Sequence, residues 1–153
     1  MPKPKPPTLQ EVLQSLAYAA DRVLVEKTPR LDPFCEATIR RALAELELRI
    51  PGLEEPPNAD AAASFLAAGR EALERGEERE ALAYALRGMS SSPHDPHLSF
   101  LAATSCIELG SVETALRLLY HTLWIHPGHQ AARRDLEALT AFLEGQGGDD
   151  KAA

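Results

Sequence analysis

A pattern that returns every 34 residues constrains this chain more than any other feature. Gly76 and Gly110, Ala81 and Ala115, Leu82 and Leu116, and Pro93 and Pro127 form four pairs at that one offset and in the same order. Leu66/Phe100, Ala68/Ala102, Gly69/Ala103 and Leu73/Ile107 keep the offset with exchanges among small or apolar residues. A period of this length is one helix–turn–helix unit of a solenoid. Each conserved type has a steric reason. Glycine takes a left-handed turn conformation that a Cβ would strain, and alanine lets two paired helices approach closely.

The residues that carry this period resemble the tetratricopeptide repeat (TPR). They supply a small residue in the first helix, Gly at the inner turn, Ala where the helices touch and Pro after the second helix. The resemblance covers about residues 60–144, with two repeats over about 60–129 and a capping helix behind them. The chain departs from the family where the first helix usually carries an aromatic Trp: Phe65 and Ser99 stand there. Gly88 and Thr122 stand where a further Ala is common. The resemblance implies protein or peptide binding.

Composition agrees with an all-α fold. Ala and Leu dominate, β-branched residues are scarce, and only 5 % of the residues are aromatic. The net charge is −7, and the repeat region alone carries 7 Arg against 12 acidic residues. Nucleic acid is an unsuitable partner for such a body, because phosphate binding needs clustered cations. The N-terminus, Met1-Pro2-Lys3-Pro4-Lys5-Pro6-Pro7, leads into no apolar stretch, and no later run reaches the length a bilayer needs. A cytoplasmic protein without a membrane partner is expected. Cys35 and Cys106 read as two small buried hydrophobes in a reducing compartment.

The chain divides into five stretches. Residues 1–7 read as a disordered Pro/Lys arm and 8–50 as a helical hairpin. Thr8 and Glu11 have capping-box spacing. Leu9, Val12, Leu13, Leu16, Ala20, Val23 and Leu24 then form an apolar face. Asp32-Pro33 starts the second helix, with Phe34, Ile39, Ala42, Leu43, Leu46 and Ile50 as its buried stripe. Residues 51–59 are a stiff Pro-rich linker. Helices follow at about 60–75, 78–91, 96–109 and 112–125, then a cap at about 129–144 and a disordered tail at 145–153. The expected fold is a TPR-like α-solenoid of about seven helices.

No catalytic signature is present: no phosphate-cradling Gly loop, no Gly-x-Ser-x-Gly elbow and no His-Glu-x-x-His pair. No cofactor is expected. Glu77, Glu78 and Glu80 sit at a helix N-terminus, where they favour the macrodipole. His94 and His97 bracket one inter-repeat turn, and His126 and His129 the next. A metal carrier or metal-dependent enzyme built on these four is an alternative reading, but their offset of 32 departs from the repeat. No metal site is expected.

Two surfaces are candidates for a partner. The resemblance implies that the first helix of each repeat lines a groove. Its register gives Leu66, Arg70, Leu73 and Glu74, then Phe100, Thr104, Ile107 and Glu108, with Arg134 on the last helix. Members of the family that grip C-terminal carboxylates use Lys and Asn where Leu66, Phe100 and Thr104 stand here, so that clamp is not implied. An apolar groove with Arg at its rim suits a segment carrying acidic residues, unless the chain's own hairpin fills it. The second candidate is Tyr120, His121 and Trp124, at positions that usually face solvent in such repeats. The expected function is a protein-interaction adaptor. The chain also looks like the small acidic TPR chaperones of type III secretion substrates, which is a further alternative. The oligomeric state stays open, a homodimer included.

Overall fold

The computed structural model describes residues 5–26, 28–51 and 58–152, with side chains described to Gly145. Seven helices follow one another: α1 (Leu9–Val25), α2 (Pro33–Leu46), α3 (Ala59–Glu74), α4 (Glu78–Ser91), α5 (Pro96–Glu108), α6 (Val112–Ile125) and α7 (Gln130–Ala152). No strand occurs among the described residues. Most of the expected arm and linker, residues 1–4 and 52–57, lies outside the described residues.

Local chemistry explains where the helices begin and end. Thr8 accepts from the Glu11 amide, and the Glu11 carboxylate returns to Thr8, closing a capping box on α1. Asn58 accepts from the Ala61 amide at 3.1 Å and starts α3. Asp95 accepts from the His97 amide at 2.9 Å and starts α5. Asp32 behaves differently: it makes no cap and turns its carboxylate to Arg22 at 3.2 Å. Gly76 and Gly110 take φ of 74° and 79°, the left-handed conformation that lets each repeat reverse direction.

The helices stack in sequence as a solenoid-like array, α3 on α4, α4 on α5, α5 on α6 and α6 on α7, with α3 also touching α5. Ala81 and Ala115 are fully buried in the paired helices. The departures from the repeat are also packing partners. A Cβ on Gly88 would stand 2.5 Å from Leu98 Cδ2 and 3.2 Å from Phe65 Cβ, so alanine fits here only if Leu98 swings aside and Phe65 gives slightly. One period later, Ser99 and Thr122 are both fully buried.

The hairpin packs α1 against α4 and α2 against α6, the second helix of each repeat. Apolar burial supplies most of this interface: Leu16, Val23, Ile39, Leu43 and Leu46 are fully buried. Polar contacts set its register. The Arg79 guanidinium donates to the carbonyls of Val23, Thr28 and Arg30. Ser90 donates to the Leu13 carbonyl at 2.9 Å, and Thr114 to the Glu36 carboxylate at 3.0 Å.

Three expectations need correction. Phe34 and Ile50 are not in the α2 stripe; they are 58 % and 66 % exposed, while Cys35 takes the buried place. Phe34 precedes Cys35 by one residue, about 100° around the helix, and Ile50 lies past the helix end at Leu46. Leu24, expected on the apolar face of α1, is 43 % exposed. Finally, α7 continues to Ala152 through the segment read as a disordered tail. Glycine lowers helix propensity by about 1 kcal/mol per residue without forbidding the conformation. Cys35 and Cys106 are free and buried, and burial pushes the Cys35 thiol up to about 11 and Cys106 higher still. Such thiols are unreactive at neutral pH.

Candidate functional site

Because the hairpin sits on α4 and α6, it does not fill the face formed by α3, α5 and α7. Leu66, Leu73, Phe100 and Ile107 on that face are half-buried, each packed by one side against the core. Arg70, Glu74, Glu108 and Arg134 are exposed. Thr104 is half-buried, and its hydroxyl donates to the Phe100 carbonyl at 3.0 Å within α5.

On this face a shallow groove of about 300 Å³ lies between α5 and α7. Thr104, Ile107 and Glu108 line one wall; Asp135, Ala138, Leu139 and Phe142 line the other. The structure therefore brings together Thr104, Ile107 and Glu108 of the expected set. Leu66, Arg70 and Leu73 stand apart on α3, and Arg134 does not line the groove. The α7 wall is what sequence reasoning missed: of that helix it named only Arg134 for the groove and read the rest as a cap. Its signal was present as helical spacing: residues 135, 138, 139 and 142 share one face.

Phe100 shares this face but does not line the groove. Its ring centroid is 4.9 Å from that of His129, which lies 6.2 Å from His97 and 5.9 Å from His126. His129 also caps α7, accepting the Ala132 amide at Nδ1. Burial, then the neighbouring His97 and His126, lower its pKa, which favours the neutral ring that a cap acceptor requires. The four turn histidines do not converge. His94 lies on the hairpin side, with Nε2 at 3.2 Å from the Leu46 carbonyl and its ring 6.5 Å from His121. Among the described residues, no group of three His, Cys, Asp or Glu side chains is arranged to hold a metal ion.

The α6 surface differs from its expected form. His121 is fully buried beneath the end of α2. Its Nδ1 lies 2.9 Å from Glu47 Oε2, and the same oxygen receives Arg117 at 2.7 Å. Burial lowers the His121 pKa against the opposing pull of Glu47. The reason is local: Nε2 has no hydrogen-bond partner, so a proton there would be an unpaired donor in the core. Trp124 is 38 % exposed and packs its ring against His94 and His121, at centroid distances of 5.5 and 5.6 Å. Tyr120 remains open to solvent. Half of this candidate surface is thus part of the hairpin junction.

No helix among the described residues is long and apolar enough to cross a membrane. Comparison with protein-family models, curated proteins and solved structures finds no match.

Proposed function

We propose that this chain is a non-catalytic protein-interaction module of the TPR type, which holds a partner segment along the α3/α5/α7 face. The observation that carries the reading is the seat of the hairpin. It covers α4 and α6 and leaves half-buried apolar side chains on the opposite set of helices without a covering element among the described residues. Exposed apolar surface of that kind, set in a groove on a rigid helical array, suits a bound peptide. The 34-residue period, the left-handed glycines and the buried alanines support the TPR assignment.

The test is affinity capture with the full chain, followed by variants of the two candidate surfaces. Phe100→Ala and Phe142→Ala should each weaken the captured partner by about 1–3 kcal/mol, with helix content unchanged. Loss of capture on Trp124→Ala alone would move the site to α6. Unfolding of Phe100→Ala would instead mark that residue as core.

A further inference from the structure

The α5/α7 groove also has a chemical polarity. Two carboxylates line it, Glu108 at the end of α5 and Asp135 in α7, and no basic side chain does. Glu108 is exposed and Asp135 half-buried. Neither is in an ion pair among the described residues. Among the described residues, the one hydrogen bond of the Arg133 guanidinium runs to the Pro127 carbonyl, at 2.8 Å, and not to either carboxylate. The same groove is lined by Ile107, Leu139 and Phe142, the last 53 % exposed. An aromatic ring that is open to water and flanked by unneutralised carboxylates attracts both apolar groups and cations.

We propose that this groove takes a peptide segment in which an apolar side chain is flanked by Lys or Arg. The apolar group seats on Ile107, Leu139 and Phe142, and the cations face Glu108 and Asp135. The inference rests on the groove reading above and deepens it. It reverses the partner charge expected from Arg70 and Arg134, neither of which lines the groove. The net charge of −7 acts in the same sense, drawing cationic partners towards the whole surface. Local carboxylates then select among them, since complementary charge supplies specificity more than raw affinity.

A library of random twelve-residue peptides selected against the full chain tests this. Enriched peptides should carry Lys or Arg beside an aromatic or aliphatic residue, and raised salt should weaken them. Glu108→Lys with Asp135→Lys should reduce their binding by about tenfold or more. Phe142→Ser should weaken them comparably, which separates groove binding from diffuse attraction to an acidic surface. These substitutions lie at partly exposed side chains, and circular dichroism verifies that the helices persist. Enrichment of acidic peptides that still depend on Phe142 would overturn the charge assignment and leave the groove reading standing. Enriched peptides indifferent to Phe142 and to both carboxylates would overturn both, as would a selection with no enrichment.

Discussion

The hydroxyl oxygens of Ser99 and Thr122 meet at 2.7 Å inside the seam between α5 and α6. One of them donates to the other, which donates in turn to its own helix, through Thr122 to Leu118 or Ser99 to Pro96. One period earlier the equivalent positions hold Phe65 and Gly88, an aromatic residue set against a glycine. The two repeats therefore fill the same seam in different ways. The first uses a large side chain and an empty one; the second uses two small side chains joined by a hydrogen bond.

A double-mutant cycle follows from this equivalence. Ser99→Phe alone overpacks the seam and should cost about 1–3 kcal/mol. Thr122→Gly alone loses about 1 kcal/mol through helix propensity, besides the hydrogen bond. Together they rebuild the first repeat's arrangement, so urea denaturation should give a combined cost below the sum by about 0.5–3 kcal/mol. Strict additivity would show that the two seams are not equivalent.

The burial of His121 predicts a pH dependence. The folded pKa of His121 lies below its ordinary 6.5 because of burial. As pH falls below that value, the unfolded chain binds a proton that the folded chain resists, so stability is full above it and declines below. His129 shifts in the same direction. Denaturation midpoints should fall between about pH 7.5 and 5.5, spanning the ordinary imidazole range. His121→Gln cannot titrate and should lose less over the same interval. A wild-type midpoint that rises on acidification would contradict the assignment. At neutral pH, Glu47→Ala leaves the His121 donor unpaired in the core and should cost about 1–3 kcal/mol.

Removing α7 tests its role as a cap. Ala132 is fully buried, and Leu136 and Leu139 pack against the core. A chain ending at Gly128 exposes the surface they cover, and it should aggregate or melt well below the full chain. A truncated chain with unchanged solubility and melting temperature would mean that α6 closes the array without help.

What the sequence made legible was local or periodic. The capping box at Thr8, the left-handed Gly76 and Gly110 and the buried Ala81 and Ala115 all depend on neighbours close in sequence or one repeat away. The hairpin's seat depends on pairs far apart in sequence, such as Arg79 with Thr28, Thr114 with Glu36 and His121 with Glu47. No local pattern encodes these pairs. Hence His121, placed on an open surface by register, is buried, and Phe34 and Ile50, apolar enough for a stripe, are exposed. The α7 wall of the groove was hidden for a related reason. Leu139 serves the core and the groove together, and only the packed position of α7 shows the second role.

The most direct measurement is site-specific photo-crosslinking of the full chain in its own cells. A benzophenone side chain would replace Phe142 in the groove, Trp124 on α6, or Phe34 on the hairpin. All three positions are exposed, at 53 %, 38 % and 58 %, so accessibility alone does not favour one. If the α3/α5/α7 face holds the partner, the probe at Phe142 captures a discrete protein adduct and the other two do not. Adducts from Trp124 or Phe34, with none from Phe142, would contradict the account and place the interface on the side that carries the hairpin.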